Sequence, residues 1–403
     1  MQYSTFTTSD NTPLAFQTSL PLPSHAPDTA AQNKYATCIL LLHGFSGSSA
    51  YFTRNLGPLS AHHWTVAPDM RGHGRSGHNP ARGGYHVARL AADLRELLAH
   101  LDSKLTSSGG TTTKFIPVGC SIGAAVVWTY LELFGEDARL AGYVFVDQAP
   151  LQDRALLGYG GVWDARVAHR GCFDEASLLA AQRAWVERPA ETHRGLVAEC
   201  LGYRFQPQDG DRRMGEEEVK RDEEFFVGIS QACDGVWLAR LLADHTRYDH
   251  REAVEGIVKP TLVMAGRRSG CFPLEGLAET VERVKKGGEG EAEMVVFESG
   301  HWLFYEEPER FNQEVLKFPK IHFLFVVHPD HAQHAGCVGV HPVPPGRAPR
   351  HHHQPVPAHD HVMSDRRLAA QHGTVKGSRC PAEKCSVAGQ DNVEQQQVAV
   401  LER

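Results

Sequence analysis

Short apolar runs alternate with amphipathic stretches along the first part of the chain. Runs of strand length are TPLAFQT, CILLLHG, WTVAPD, KFIPVG and AGYVFVDQAP. The stretches VARLAADLRELLAHLDSKL and AAVVWTYLELF have the periodicity of helices. Repeated strand, helix and strand predict an α/β fold with a mainly parallel, doubly wound sheet that has helices on both faces. Such sheets bind their ligands at the carboxyl ends of the strands.

The pattern changes between residues 151 and 256, where the strand signals disappear. This segment is helical, charged and broken by Gly and Pro, as in GYGGVWDARVAHRGCFDEASLLAAQRAWVERPAE. Strand signals return at KPTLVMAG and AEMVVFESG, and EEPERFNQEVLKF predicts a last helix. We therefore expect a core in two parts, residues 1–150 and 257–318, with a helical lid inserted at 151–256.

The chain after Phe318 has a different composition. Residues 319–403 include IHFLFVV, a His- and Pro-rich run and a polar end, VEQQQVAVLER. This composition cannot bury a continuous core, so we expect a low-complexity, disordered tail. Histidine runs can bind metal, but without a fixed scaffold they indicate a tail rather than a dedicated site. The abrupt change also fits a misread splice junction, and the sequence leaves both explanations open.

Composition and charge argue against several partners. The 403 residues carry a net charge of −7, so no basic field is available for nucleic acid or an anionic membrane surface. The start, MQYSTFTTSD, lacks the features of a secretory signal, and no run of about 18 apolar residues occurs. We expect a soluble, cytoplasmic protein that acts on a small molecule; its oligomeric state is not indicated. The nine cysteines are scattered, which favours reduced thiols, and no metal site is predicted.

The pentapeptide GCSIG is the strongest chemical signal. It places Ser121 between Gly119 and Gly123, with an apolar strand before it and an apolar helix after it. A sharp strand-to-helix turn strains the backbone at the serine and brings neighbouring chain close, so both flanking positions need almost no side chain. The turn presents the serine Oγ above the sheet edge and directs the N–H of Ile122 to the same space. Ser121 is therefore the predicted nucleophile.

Two further motifs stand at strand ends in the expected order. HGFSG follows the strand CILLL, and its Phe45 N–H would be the second oxyanion donor beside that of Ile122. We expect His43 to brace this loop. SGHW follows the last strand, where His301 can reach over the sheet edge, accept the Ser121 proton and return it to the leaving group. His301 is therefore the predicted base.

These motifs resemble the α/β-hydrolase family, specifically its cofactor-free branch of esterases and haloalkane-dehalogenase-like proteins. The segments that carry the resemblance are HGFSG, PDMRGHGRSG, GCSIG, VDQAP, KPTLVMAG and SGHW. The resemblance covers about residues 10–318, and it implies that no cofactor is needed and that PDMRGHGRSG braces a loop. Dehalogenases of this fold attack with an aspartate. Ser121 stands at that position, which implies attack on an acyl carbon instead.

The acid of the triad departs from the usual pattern of the family. After KPTLVMAG the family usually has an aspartate, whereas Ser269 stands there in this chain. A serine cannot offset the charge of an imidazolium. Some relatives take the acid from the strand after the nucleophile helix, which leads to Asp147 here. We predict Asp147 as the acid rather than as a loop cap, with Glu275 and Asp249 as the next candidates.

The sequence therefore predicts a serine hydrolase that cleaves an ester, thioester or lactone of a small, apolar substrate through an acyl-enzyme. Trp163, Trp185 and Trp237 of the predicted lid either line an apolar pocket or, as is commoner, pack helices together. Two alternatives stay open. An acyltransferase, a carbon–carbon hydrolase or a tailoring enzyme of secondary metabolism would use the same serine. A ligand-binding protein would keep the pocket without turnover, and the serine at position 269 favours that alternative.

Overall fold

The computed structural model describes most of the chain up to Phe323. The described residues are 1–22, 33–78, 83–106, 113–152, 172–202, 207, 214–288 and 290–323. All of them lie in one compact unit, Met1–Asp330. The predicted disordered tail from residue 324 onward and Trp163 of the predicted lid lie outside the described residues.

The sheet has eight strands and a parallel centre, as the sequence pattern predicts. The strands are β1 (Gln2–Thr7), β2 (Pro13–Thr18), β3 (Thr37–Leu42), β4 (Trp64–Pro68), β5 (Lys114–Cys120), β6 (Tyr143–Val146), β7 (Thr261–Gly266) and β8 (Ala292–Phe297). Their order across the sheet is β1-β2-β4-β3-β5-β6-β7-β8. The pairs β1–β2 and β2–β4 are antiparallel, and every pair from β4 to β8 is parallel.

The central strands are buried on both faces, which is typical of parallel sheets. Along β3, Ile39 and Leu41 belong to one apolar cluster and Leu40 and Leu42 to another, because successive side chains point to opposite faces. The edge strand β1 differs, because only Phe6 of its six residues is buried. It lacks a continuous apolar run, so the hydrophobic pattern does not predict it.

Helices cover both faces of the sheet. They are α1 (Leu56–Ser60), α2 (Val87–Thr106), α3 (Ile122–Phe134), α4 (Glu175–Glu187), α5 (Pro189–Cys200), α6 (Glu216–Gln231), α7 (Gly235–Arg247), α8 (Arg251–Glu255), α9 (Leu274–Lys286), α10 (Leu303–Glu306) and α11 (Pro308–Phe323). Trp128 of α3 packs in one of the two clusters and Phe311 of α11 in the other. Helix α11 continues through Pro319 to Phe323, beyond the predicted end of the core at Phe318.

Helices α4 to α8 lie between β6 and β7 in the chain, where the sequence predicts the lid. Local capping sets two of the helix starts: Asp174 and Ser177 form a capping box at α4, and Asp234 accepts from the Trp237 N–H at α7. The limits of the lid at 151 and 256 stay a prediction. Among the described helices, no single one is long and apolar enough to cross a membrane; α6 and α7 meet the length and composition requirement only as a pair bent by 90°.

Candidate active site

Ser121, the predicted nucleophile, lies at the turn between β5 and α3. Its backbone has φ 52° and ψ −125°, a positive-φ conformation that residues other than glycine rarely adopt. The Ser121 N–H donates to the carbonyl of Val146 at 2.9 Å, which ties the turn to the end of β6. This is the sharp strand-to-helix turn that the GCSIG pattern predicts.

Gly119 and Gly123 permit this turn because a side chain at either position would collide with backbone. A Cβ atom on Gly119 would lie 2.6 Å from the nitrogen of Ala124, and one on Gly123 would lie 2.6 Å from the carbonyl oxygen of Leu42. Backbone atoms cannot rotate away as the end of a flexible side chain can. Both glycines therefore have the physical role that the sequence predicts for them.

Backbone strain is concentrated at the carboxyl ends of the strands. Among the described residues, four non-glycine residues have a positive φ: Asn11, Ser46, Ser121 and Asp147. The last three belong to the motifs HGFSG, GCSIG and VDQAP. Such conformations cost about 1–3 kcal/mol each and cluster at functional sites, where the surroundings fix them. Their clustering supports an active site at this edge of the sheet.

Asp147 and His301 form a short polar contact. Asp147 follows β6, His301 lies after β8, and His301 Nδ1 is 2.6 Å from Asp147 Oδ1. A carboxylate accepts hydrogen bonds, so Nδ1 carries the proton and Nε2 keeps its lone pair. Asp147 is fully buried and His301 is 6% exposed, so solvent screens the contact little. The structure thus joins the residues that the sequence predicts as acid and base.

Two further groups fix the Asp147 carboxylate. The Gly266 N–H donates to Oδ2 at 2.7 Å, and the Ser269 hydroxyl donates to Oδ1 at 2.6 Å. With His301 they give the buried anion three donors, which offset its lost hydration. Ser269 thus stands at the usual place of the acid and holds the carboxylate that lies on the neighbouring strand. The sequence pattern does not reveal this contact, which depends on the parallel pairing of β6 with β7.

The two alternative acids lie elsewhere. Asp249 accepts from Arg251 Nε and Nη2, each at 2.9 Å, and so pairs with its own neighbour. Glu275 lies in the first turn of α9. The carboxylate bonded to His301 is that of Asp147.

Gln148 is an addition to the predicted site. Ser121 Oγ lies 3.5 Å from Gln148 Oε1. Within the described part of the chain, Ser121 and His301 do not share a hydrogen bond. Gln148 is buried, and its Nε2 donates to the carbonyl of Ala149 at 3.0 Å, which leaves Oε1 toward the serine. Catalytic hydrogen bonds often tighten only in the substrate complex. The sequence signal for Gln148 is its place beside Asp147 in VDQAP.

Phe45 and Ile122 offer backbone N–H groups for an oxyanion. Ile122 is the first residue of α3, where helix N–H groups lack an intrahelical acceptor. Within the described part of the chain, neither the Phe45 N–H nor the Ile122 N–H has a hydrogen-bond acceptor. The loop with Phe45 closely approaches the nucleophile, because a Cβ on Gly44 would lie 3.3 Å from Ser121 Cβ. Two N–H groups without acceptors beside a serine are what an oxyanion hole requires.

Two buried histidines brace the HGFSG loop. His43 Nδ1 donates to the carbonyl of Gly44 at 2.8 Å, and its Nε2 accepts from the Met70 N–H at 2.9 Å. His73 Nε2 accepts from the Ser46 N–H at 3.3 Å. Burial lowers the pKa of His43 to about 4 and the pKa of His73 to about 3. Both imidazoles are therefore neutral at pH 7, and His43 lies where the predicted bracing role requires.

The segment PDMRGHGRSG supports the same loop. Asp69 accepts from the Ser49 N–H at 2.7 Å. Arg71 is fully buried and pairs with Asp10 at 2.8 Å and with Asp93 at 2.7 Å. These contacts join the loop to β1–β2 and to α2, which fits a structural rather than a chemical role.

The two described lid tryptophans are buried against these loops. Trp185 packs against the Phe45 ring with 5.5 Å between ring centroids, and Trp237 packs against the His73 ring at 5.3 Å. Both rings thus connect helices of the predicted lid to the loops that carry or brace Phe45, the predicted oxyanion donor.

A separate cavity of the described residues lies between β1–β2 and α2. Its lining is mainly apolar and includes Phe6, Leu14 and Leu97. Its lining includes none of the predicted catalytic residues. The candidate active site is therefore located by the turn at Ser121 and the contact between Asp147 and His301, and not by this cavity.

One group of described side chains has the spacing of metal ligands. The ligand atoms of Cys200, Cys271 and His301 all lie within 4.8 Å of one another. The two cysteines are 71 positions apart in the chain, so no spacing motif predicts them.

Two relatives are 26% identical to this chain over an aligned segment of 286 residues. The dihydrolipoyllysine-residue acetyltransferase component of the acetoin cleaving system of Pseudomonas putida is 26% identical over 286 residues, which are 71% of this chain and 64% of that protein. A protein named as a carbamate hydrolase, RutD, of Agrobacterium fabrum is 26% identical over 286 residues, which are 70% of this chain and 93% of that protein. The chain therefore matches less than two thirds of the length of the first relative.

Fold and family comparisons agree with each other. The structure of the esterase EaEST of Exiguobacterium antarcticum matches this chain with a TM-score of 0.61 and 18% sequence identity. The match covers 79% of this chain and 99% of the esterase. At this level of identity the similarity shows a shared fold. The profile of the α/β hydrolase fold family matches residues 37–308, from the first residue of β3 to the start of α11. The matched segment contains the turn at Ser121 and the contact between Asp147 and His301. This chain belongs to the α/β-hydrolase fold family.

Proposed function

We propose that this protein is a serine hydrolase that cleaves an ester, thioester or lactone of a small, apolar substrate through an acyl-enzyme. The observation that carries the proposal is the buried contact of Asp147 with His301 at 2.6 Å, at the same sheet edge as a serine in a strained turn. An imidazole that accepts a proton in a buried site needs an oriented carboxylate, and Asp147 meets that need. Membership in a hydrolase family supports an enzyme.

In the acylation step, Ser121 Oγ attacks the acyl carbon while His301 Nε2 accepts the hydroxyl proton. Asp147 stabilises the imidazolium that forms and keeps Nδ1 protonated. The N–H groups of Phe45 and Ile122 donate to the oxyanion of the tetrahedral intermediate. His301 then gives its proton to the leaving group, which departs as an alcohol or a thiol.

In the deacylation step, the same groups act on water. His301 Nε2 takes a proton from a water molecule, and the resulting hydroxide attacks the acyl carbon on Ser121. Collapse of the second tetrahedral intermediate releases the carboxylic acid, and the proton returns to Ser121 Oγ. The cycle involves no redox change, and its participants are these side chains, the two backbone N–H groups and water.

The substrate class follows from the nucleophile. A serine forms an acyl-enzyme with carbonyl substrates, whereas the alkyl-ester chemistry of dehalogenases needs a carboxylate nucleophile. Two of the similar proteins, one named as a carbamate hydrolase and one as an esterase, support acyl cleavage. The Pseudomonas protein named as an acetyltransferase component supports acyl transfer as the second candidate, with an acceptor other than water at the same acyl-enzyme.

A non-catalytic ligand-binding protein is less well supported. The sequence favours that alternative only through Ser269, which stands where the acid is usually found. Ser269 Oγ donates to Asp147 at 2.6 Å, so a carboxylate is available to His301 although it comes from the neighbouring strand.

The test is turnover of a panel of short-chain p-nitrophenyl esters, thioesters and lactones. We expect hydrolysis by the wild-type protein and a loss of about 10³-fold or more in Ser121→Ala, because the variant lacks the hydroxyl that forms the acyl-enzyme. Ser60→Ala is the control, since Ser60 lies on the surface helix α1 and should leave turnover unchanged. A folded Ser121→Ala protein that keeps wild-type turnover would disprove the proposal. Acyl transfer would appear as faster product release on addition of an alcohol or a thiol acceptor.

A further inference from the structure

Cys200, Cys271 and His301 come together from three separate segments of the chain. Cys200 is the last residue of α5, Cys271 lies between β7 and α9, and His301 lies after β8. Their ligand atoms, two sulfurs and a ring nitrogen, lie within 4.8 Å of one another, and the sulfurs are 3.9 Å apart. The proposed hydrolysis uses His301 and gives neither thiol a role.

The backbone fixes this arrangement. The His301 N–H donates to the carbonyl of Cys200 at 2.9 Å. Gly202 and Gly300 lie in direct contact, because a Cβ on Gly202 would be 2.5 Å from the nitrogen of Gly300. Glu306 Oε1 accepts from the N–H of Gly202 at 3.3 Å and from that of Gly300 at 2.9 Å. The spacing of Cys200 and His301 is therefore set by the fold before any ligand binds.

The two sulfurs have the separation of ligands on one tetrahedral ion. A thiolate lies about 2.3 Å from Zn²⁺, which places two thiolates of a tetrahedral site about 3.8 Å apart. The observed 3.9 Å between Cys200 Sγ and Cys271 Sγ is close to that value. An oxygen-preferring cation such as Mg²⁺ or Ca²⁺ would not select sulfur ligands.

The third ligand is oriented by Asp147. This carboxylate holds His301 Nδ1, which leaves Nε2 to bind the metal, and metal-bound histidines commonly have a carboxylate behind them. Two thiolates and a neutral imidazole balance the charge of a divalent ion, so the ion can be buried without a net charge. Cys271 is the one member of the group that is not fully buried as a residue.

We propose that Cys200, Cys271 and His301 bind Zn²⁺ and that the bound ion inhibits the hydrolase. On binding, two thiol protons leave to solvent, two Zn–S bonds and one Zn–N bond form, and nothing is oxidised or reduced. The lone pair of His301 Nε2, which must accept the Ser121 proton, is then held in the Zn–N bond. The inhibition rests on the proposed function, whereas the binding does not.

The binding test is a titration of the full-length, chelator-treated protein with Co²⁺, in buffer that contains a phosphine reductant to keep the thiols reduced. Cobalt gives a thiolate-to-metal charge-transfer band only when sulfur binds it, so the histidine-rich run near residues 351–353 cannot produce the signal. We expect one equivalent of Co²⁺ to give the band and Zn²⁺ to remove it. Cys200→Ser and Cys271→Ser should lose the band. Cys233→Ser, which changes a buried thiol outside the group, should keep it.

The inhibition test uses a p-nitrophenyl ester under the same reducing conditions. Zn²⁺ should stop turnover and a chelator should restore it. Each of the two ligand variants should keep basal turnover and need at least about 100-fold more Zn²⁺ for half-inhibition. The cobalt titration overturns the proposal if the wild-type protein gives no thiolate band or if the band survives in both variants. The inhibition assay overturns it if a reductant restores turnover and a chelator does not, which would indicate a disulfide. If the protein turns over no ester, the cobalt titration still decides whether the metal binds.

Discussion

The variant Asp147→Asn should keep its fold and lose nearly all turnover. The new side chain has the same shape but one acceptor oxygen where the carboxylate has two. The Gly266 N–H donates to Oδ2 at 2.7 Å and belongs to fixed backbone, so we expect the amide oxygen to take that position. The amide NH₂ then faces His301, whose Nδ1 must become an acceptor. The imidazole proton moves to Nε2, which can no longer accept the proton of Ser121.

The expected loss is about 10⁴-fold in kcat, or about 5.4 kcal/mol, which is the effect of the wrong tautomer in a serine protease triad. Ser269→Ala is the matched comparison, because its hydroxyl donates to the same carboxylate at 2.6 Å. That bond is present both before and during the reaction. Its loss should therefore lower stability by about 1.5–3 kcal/mol but lower kcat by no more than about tenfold.

The double variant Asp147→Asn with Ser269→Asp tests the geometry directly. Ser269 Oγ lies 2.6 Å from Asp147 Oδ1, so a carboxylate at position 269 would lie close to His301. We expect partial recovery of kcat. The single variant Ser269→Asp should instead be destabilised, because it would place a second carboxylate next to the buried carboxylate of Asp147.

The assay is steady-state hydrolysis of an activated ester, with rates given per intact site. Mass spectrometry must exclude deamidation of the new asparagine, since a trace of restored aspartate would mask a loss of about 10⁴-fold. A folded Asp147→Asn protein within about tenfold of the wild-type kcat would refute the assignment of Asp147 as the acid.

Three further predictions concern stability, each measured by urea unfolding. Gly123→Ala should destabilise the protein by about 1–3 kcal/mol or prevent folding, because the new Cβ would lie 2.6 Å from the carbonyl oxygen of Leu42. The control Gly228→Ala lies in α6, where a new Cβ would have no atom within 4 Å, and it should stabilise the protein by about 0.5–1 kcal/mol. Equal effects of the two variants on stability would contradict the steric explanation. His43 has a folded pKa of about 4 against an ordinary value of 6.5, so the unfolded state binds its proton first, and His43 should contribute a loss of about 3 kcal/mol of stability as pH falls from 6.5 to 4. His43→Gln should make the fall of stability with pH shallower by about that amount, with the remaining slope due to other groups such as His73, and an unchanged slope would show that His43 does not contribute. Arg71→Met should cost about 1.5–3 kcal/mol, because it removes charged hydrogen bonds to Asp10 and Asp93 although Asp93 keeps its ion pair with Arg89 at 2.6 Å. A loss below about 0.5 kcal/mol would show that the ion pairs of Arg71 contribute little.

The centre of the fold and the strained turn at Ser121 could be predicted because each has a local signal. Strands β3, β5 and β7 are continuous apolar runs, and GCSIG needs its two glycines for reasons that involve only the turn and its immediate neighbours. The boundaries of the helices and the edge strands were harder to predict from the sequence. Helix α3 begins at Ile122 rather than near Ala124, because Ser121 is itself the N-cap residue. Edge strand β1 has only one buried side chain and so no apolar pattern to detect.

The contacts that complete the site depend on pairing between distant segments. Asp147 and Ser269 meet because β6 and β7 are parallel neighbours, and Cys200 meets His301 because the end of α5 bonds to the turn after β8. No spacing in the sequence encodes these meetings. Gln148 is a third case, since its orientation toward Ser121 follows from the conformation of the VDQAP turn. Residue types at strand ends can thus be predicted from sequence, whereas their partners require the fold.

The most direct test of the central claim is the site of covalent labelling by a fluorophosphonate. Such a reagent reacts with a serine only where a base and an oxyanion hole activate it. We expect one adduct per wild-type chain, on the peptide that contains Ser121, no adduct on Ser121→Ala, and much slower labelling of Asp147→Asn. An adduct on another serine, or labelling of Ser121→Ala at the wild-type rate, would show that Ser121 is not the nucleophile.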